Sequence, residues 1–305
     1  MILDENGNPN TYWLEWKEGQ HQTDYNNCRF SEDKLEFAKN WLLTKKPDID
    51  WTSPKNVVDI IAKQKLRFIT DEDYCNKAQL FADKCAVRTE LPSEIKENML
   101  VDCKIFSTDI ENNIKHWYDC FKSKTSDWRH VWFKTNHGSG WNLNVDFLKM
   151  PTAPKYIAHK LEEWMSLNYA YISGYEKQYE KIIPKVIMEP HLVDQPIDYG
   201  FWCINGNIEG ISLTKKLGKN LEAYLAFVNE QSKENDWYIG CKSSMTDLPL
   251  SWKKRIDEVI PYIKELAKPW DFVRVDFNYV NCKWYFREMT FTPCSGILDI
   301  GYNKL

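Results

Sequence analysis

Arg274, Asp276, Glu288 and Thr290 stand in two runs rich in aromatic and β-branched residues, Phe272-Val273-Arg274-Val275-Asp276-Phe277-Asn278 and Lys283-Trp284-Tyr285-Phe286-Arg287-Glu288-Met289-Thr290-Phe291. The runs flank Asn281-Cys282 and read as a β-hairpin. Side chains alternate along a strand, so Arg274 and Asp276 share one face, and Glu288 and Thr290 share one face of the return strand. Two carboxylates beside an arginine hold Mg²⁺ and a polyphosphate. Asp276 faces Glu288 only if the loop has an odd length, most simply Asn281-Cys282-Lys283, or if a bulge intervenes. A solvated sheet face with a cross-strand ion pair is the competing reading of the same residues.

A second set lies upstream. Lys134 ends the strand 129–134, and Thr135-Asn136-His137-Gly138-Ser139-Gly140 follows it. Glycines let backbone N–H groups approach an anion, and a lysine on the preceding strand reaches the same phosphates as a point charge. The loop is no Walker A motif, and taken alone it reads more simply as a plain hairpin turn to 141–145. Lys84 and Arg88 are four apart, on one face if a helix continues there, and form either an anion site or a solvated helix end. Glu189 closes a strand running from 182. The chain that follows it is placed to offer backbone groups to adenine, with Glu189 on the ribose or base.

The elements that must position these residues are mixed. Helices are expected from Ser31 to Leu43, from a Ser53 cap with Pro54 in the first turn, and from Asp71 to Ala82. Others are expected over 109–122, from Ala153 to Tyr169, from about Leu221, and from Ser251 to Lys268. Strands are expected at 100–106, 129–134, 182–189, 197–204 and 208–213, the last two joined by Asn205-Gly206. This order makes an α+β protein. Its regions are a mainly helical 1–95, then 96–190 and 191–305.

The 305 residues suffice for a large core; 43% are hydrophobic and 28% charged, which excludes a disordered chain. A net charge of −4 argues against nucleic acid as the main partner. The nine cysteines form no CxxC and no zinc spacing, so reduced thiols and a cytoplasmic location are expected. No secretory leader and no membrane span are read from the sequence.

In their order along the chain, these pieces resemble a family. Ala-Asp-Lys-Cys-Ala-Val-Arg at 82–88, Phe-Lys-Thr-Asn-His-Gly-Ser-Gly at 133–140, Glu-Lys-Gln-Tyr at 176–179, Asp-Tyr-Gly-Phe-Trp-Cys at 198–203, Val-Arg-Val-Asp-Phe at 273–277 and Arg-Glu-Met-Thr-Phe-Thr-Pro-Cys-Ser-Gly at 287–296 resemble the ATP-grasp ligases. The branch is the TupA-like one, linked to teichuronopeptide and other bacterial surface polysaccharides. The resemblance implies an ATP-grasp fold, two α+β subdomains clamping ATP between antiparallel sheets. It implies ATP and Mg²⁺ as cofactors and ligation of a carboxylate to an amine through an acyl phosphate. The implied substrates are an acidic sugar, as nucleotide sugar or glycan, and a small amine; polysaccharide-assembly enzymes are the implied partners.

The roles carried over are Arg274 on the transferring phosphoryl group, and Asp276, Glu288 and Thr290 at the metal. Lys134 with His137, Gly138, Ser139 and Gly140 takes the ATP phosphates. Glu189 and the backbone through Leu192 take adenosine, and Lys84 and Arg88 take substrate or phosphate. The family's usual lysine is replaced by Gly200, for which Lys215 or Lys216 is the expected substitute. An ATP-grasp kinase acting on a sugar hydroxyl, or a nucleotide-binding subunit without turnover, remains the alternative.

Overall fold

A computed structural model of the chain describes residues 20–149, 153–192, 197–217, 220–227, 237–238 and 255–297. It comprises two compact units. One lies within Met1–Trp41, Asp71–Arg88 and Val101–His191, the other within Leu42–Thr70, Thr89–Leu100 and Leu192–Leu305. Residues 1–95, read from the sequence as one helical region, are therefore divided between them.

In the first unit an antiparallel sheet of four strands runs in the order β1-β4-β2-β3. These are β1 (Lys104–Phe106), β2 (His130–Thr135), β3 (Asn142–Asp146) and β4 (Val186–Pro190). Alternation decides which face is core: Val131, Phe133, Leu143 and Val145 are buried, whereas His130, Trp132, Lys134, Asn142, Asn144 and Asp146 take the other face. The helices Ile110–Lys122 and Ala153–Met165 cover the apolar face with Ile110, Ile114 and Tyr118, and with Ile157, Leu161 and Trp164. These residues recur at three- and four-residue spacing, and each fully buried aliphatic side chain contributes about 1.5–3 kcal/mol.

In the second unit the described strands form a six-stranded antiparallel sheet, β10-β9-β5-β6-β7-β8. They are β5 (Ile197–Ile204), β6 (Asn207–Leu217), β7 (Asn220–Phe227), β8 (Trp237–Tyr238), β9 (Phe272–Val280) and β10 (Lys283–Thr290). Asn205 and Gly206, both at positive φ, make the expected β5–β6 turn. The helix expected from about Leu221 is strand β7 instead, hydrogen-bonded along β6. Pairing with a sheet edge outweighs the helix preference of its Leu, Ala and Glu residues. Of the helix expected over Ser251–Lys268, residues 255–257 and Ile260–Ala267 are helical with a turn at 258–259 between them, and 251–254 lie outside the described residues.

Helix starts also differ from expectation. The second helix is Lys34–Lys45, and Asp33, not Ser31, caps it by accepting from Glu36 N. The helix expected at Ser53-Pro54 begins three residues later, as Val57–Thr70. Asn56 Oδ1 accepts from Asp59 N, and Asn56 Nδ2 donates back to Asp59, a reciprocal cap stronger than the Ser-Pro signal.

Helix Val57–Thr70 ties down the strand ends that carry the functional residues. Its buried face holds Ile61 and Phe68, and also Gln64 and Lys65, both fully buried. Gln64 Nε2 donates to the carbonyls of Phe272 (2.7 Å) and Phe291 (3.0 Å), while its Oε1 accepts from Phe272 N (2.9 Å). Lys65 Nζ donates to Ser295 O at 2.8 Å.

Candidate active site

The β9–β10 hairpin is built differently from the simplest expectation. Its loop has two residues, Asn281 and Cys282, both at positive φ, and Lys283 pairs with Val280. Unbroken, that register would send Glu288 to the far face. A bulge between Phe286 and Glu288 absorbs Arg287, so Glu288 pairs with Asp276 and Thr290 with Arg274. The sequence required either an odd loop or a bulge, and the chain uses the bulge.

On this face Arg274 is clamped. Nε donates to Asp276 Oδ1 at 2.7 Å, Nη2 to Asp276 Oδ2 at 2.6 Å, and Nη2 to Thr290 Oγ1 at 3.2 Å. Its guanidinium also lies 5.7 Å from the centre of the Trp202 ring. Burial works against the charge on Arg274, but Asp276 overcomes it and holds the group charged above its ordinary range. Burial pushes Asp276 up to about 6; Arg274 pulls against this, and the neighbouring Glu288 and Asp198 charges add to the rise.

Gly200, opposite Asp276 in the β5–β9 register, makes room for the clamp. A Cβ there would sit 2.4 Å from Ser212 Oγ and 3.1 Å from both Arg274 Cδ and Asp276 Oδ1. Ser212 is itself fixed, accepting from Trp202 Nε1 at 3.0 Å and donating to Gly200 O at 3.2 Å. The place where a lysine was expected is thus filled by Arg274 folding across the strand. Strand β6 brings Lys215 opposite Ile197, but its side chain lies outside the described residues.

Arg274, Asp276, Glu288, Gly200 and Asp198 line a pocket of about 290 Å³, with Arg287 also contributing. Among the described residues no group of three or more His, Cys, Asp or Glu side chains is set to hold a metal. Mg²⁺ bound chiefly through phosphates needs only one or two carboxylates. Asp276 and Glu288 pair across the strands and could supply them, and the Glu288 charge adds to the cost of ionising Asp276.

In the first unit the polar face of the sheet gathers Lys134, Glu189 and Arg88. Lys134 Nζ bonds Glu189 Oε2, and Arg88 Nη1 lies 3.7 Å from Glu189 Oε1. Lys84 Nζ donates to Gly138 O. The 135–140 loop is the turn of the β2–β3 hairpin, with Ser139 and Gly140 exposed. Leu192 is half-buried just past β4.

His137 and Gly138, expected among the ATP contacts, face the interior instead. A Cβ on Gly138 would meet Tyr169 Cδ2 at 2.5 Å, so ring packing is what requires this glycine. His137 is 1% exposed, lies 5.1 Å from the Trp141 ring, and contacts Leu167 O at 3.2 Å. Burial pushes its pKa down to about 4, from an ordinary 6.5. A histidine depressed on folding stabilises above its unfolded pKa and loses that contribution as pH falls toward the folded value. Between about pH 6.5 and 4 the chain is expected to lose up to about 3 kcal/mol on this account. Urea unfolding across that range, compared with His137→Phe, checks it: the variant should show a shallower loss.

Gln64, Lys65 and Ser212 escaped the sequence reading. The signal for the first two was present as polar residues at positions 64 and 65, on the same three- and four-residue spacing as Ile61 and Phe68.

Two α+β units on antiparallel sheets, one carrying the Arg274–Asp276–Glu288 set, make up an ATP-grasp fold. The chain belongs to the TupA-like ATP-grasp family, whose model matches residues 126–304. Among solved structures it is similar to D-alanyl-alanine synthetase A from Vibrio cholerae, at 12% identity over 69% of this chain and 55% of that one, TM-score 0.39. It is also similar to D-alanine–D-alanine ligase from Helicobacter pylori (14% identity, 71% and 56%, TM-score 0.40). A third is the ATP-grasp ligase PsnB complexed with a minimal precursor (9%, 70% and 54%, TM-score 0.39). The chain thus spans little more than half the length of these structures. No curated protein matches it. Among the described residues no helix is long and apolar enough to cross a membrane.

Proposed function

We propose that the chain is an ATP- and Mg²⁺-dependent ligase that joins a carboxylate to an amine. The observation carrying this reading is Arg274, clamped by Asp276 and Thr290, beside the Asp276–Glu288 pair in one pocket of a TupA-like ATP-grasp chain. Asp276 and Glu288 would hold Mg²⁺, which when bound would supply neutralising charge for the phosphates. A carboxylate oxygen of the acid attacks the γ-phosphorus, the bond to the β-phosphate oxygen breaks, and ADP departs. The amine nitrogen then attacks the acyl-phosphate carbon. A C–N bond forms, the C–O bond to phosphate breaks, and the amine proton passes to solvent. Arg274 stabilises the charge on the transferring group with a guanidinium that is already fixed. Lys134 and the exposed Ser139-Gly140 tip take phosphate oxygens, Glu189 and the chain to Leu192 take adenosine, and Lys84 and Arg88 support phosphate or acid.

The acid is a uronic acid on a nucleotide sugar or glycan, and the amine is an amino acid or amino alcohol, in bacterial surface polysaccharide synthesis. This finer reading follows from the resemblance of the six motifs. ADP release is measured with Mg²⁺-ATP, UDP-glucuronate or UDP-galacturonate, and pooled amines. Sustained release requiring both acid and amine is expected. Release with the sugar alone, leaving a stable phosphate ester, would make the chain a kinase instead.

A further inference from the structure

A second guanidinium belongs to the pocket and has no part in the chemistry above. Strict alternation along β10 would turn Arg287 away from Glu288. The bulge between Phe286 and Glu288 breaks that alternation, and Arg287 and Glu288, neighbours in sequence, both line the pocket with Arg274 and Asp276. The bulge that keeps Glu288 opposite Asp276 thus also adds a cation to the same pocket. Arg287 is exposed, and it makes no hydrogen bond, ion pair or ring contact among the described residues. Arg274 is in the opposite state, with Nε and Nη2 committed to Asp276 and Thr290. Arg287 keeps its whole fork of N–H donors for a group from outside the chain.

Such a fork matches the two oxygens of a carboxylate or a phosphate. The charge of the pocket decides between them. Its carboxylates, Asp198, Asp276 and Glu288, outnumber its two arginines, and the Arg274 charge is already answered by Asp276. In the proposed reaction the phosphates enter paired with Mg²⁺, whereas the acid enters as an anion with no counter-ion. It has to approach the γ-phosphoryl group beside those three carboxylates, and like charges at such range repel. An unpaired guanidinium on the rim offsets that repulsion and orients the acid. We propose that Arg287 binds the carboxylate of the acid substrate and selects an ionised acid over its neutral analogue. The proposal rests on the ligase reading above.

Phenylglyoxal labelling of the full chain, read by peptide mass mapping, tests it without turnover. Arg287 is expected to label about tenfold or more faster than Arg274, whose donors are held in charge-assisted hydrogen bonds. With Mg²⁺ and a saturating non-hydrolysable ATP analogue, its binding followed by calorimetry, UDP-glucuronate or UDP-galacturonate should slow the labelling of Arg287. UDP-glucose and UDP-galactose, which lack the carboxylate, should not. In Arg287→Gln the protecting acid should bind about tenfold or more weaker, the worth of a hydrogen bond to a charged group, and the analogue should bind as before. The melting temperature should be unchanged, because Arg287 has no partner in the fold to lose. Labelling of Arg287 no faster than Arg274, protection by the analogue alone, equal protection by the neutral sugars, or no protection by either acid overturns the proposal and leaves the ATP reading standing. No binding of the analogue removes the proposal and the ATP reading together.

Discussion

Arg274→Met is expected to lower kcat about a thousandfold while leaving the affinity for Mg²⁺-ATP within about tenfold. In the proposed reaction Arg274 acts on charge that develops as the phosphoryl group moves, so its loss should appear in kcat rather than in ground-state binding. Lysine should not rescue it. The clamp is two-pronged, Nε and Nη2 each meeting one Asp276 oxygen, and an ammonium cannot span both. Glu288→Gln is expected to lower kcat at least as far and to weaken Mg²⁺-ATP as well, because it removes one of the two paired carboxylates proposed to hold the metal. Single-turnover kinetics with titrated Mg²⁺ separates the two patterns. An Arg274→Met protein that turns over normally would end the assignment.

The same arginine carries a stability cost that distinguishes structure from catalysis. The Arg274 and Asp276 side chains are only 25% and 16% exposed. Removing the arginine strands a mostly buried carboxylate, at about 3 kcal/mol near neutral pH. Adding Asp276→Asn to Arg274→Met should recover most of that loss, because a neutral amide does not need the guanidinium. Activity should stay lost. Recovery of both would mean that Arg274 serves the fold alone.

The functional face of β9 and β10 was legible because alternation is a local property. Arg274, Asp276, Glu288 and Thr290 fall on one side as soon as the strands are recognised. What the sequence left open was the device that keeps Glu288 there. A two-residue turn with a bulge at Arg287 and a three-residue turn place Glu288 equally well, and only the pairing of Lys283 with Val280 distinguishes them. The 135–140 loop was legible as a turn but not in its inward contacts. Gly138 reads as a phosphate-loop glycine until Tyr169, thirty-one residues later, is seen against it. Strand β7 was missed for a related reason, since its state depends on β6 rather than on its own residues. Arg274 filling the place beside Gly200 is also a long-range fact, joining strands more than seventy residues apart.

Gln64 makes that long-range dependence measurable. Gln64→Leu is expected to destabilise the second unit by about 2–4 kcal/mol, because Phe272 N–H and the carbonyls of Phe272 and Phe291 lose their side-chain partner in a fully buried setting. Activity should fall further than unfolding explains, even at temperatures where the variant is folded. Phe272 is two residues from Arg274 and Phe291 is next to Thr290, so the amide sets the spacing of strand ends whose side chains share a hydrogen bond. Gln64→Glu gives a sharper result. As a neutral acid it can donate to one carbonyl and accept from Phe272 N. Ionised, it faces two carbonyl oxygens with no proton to offer, so its folded pKa must rise above the unfolded value. A group raised on folding stabilises below its unfolded pKa and loses that contribution as pH rises through the folded one. The melting temperature of Gln64→Glu, relative to wild type, should therefore drop progressively from about pH 4 upward. A pH-independent difference would show that the side chain has turned away from Phe272 and Phe291, and that the strand ends are held by something other than this amide.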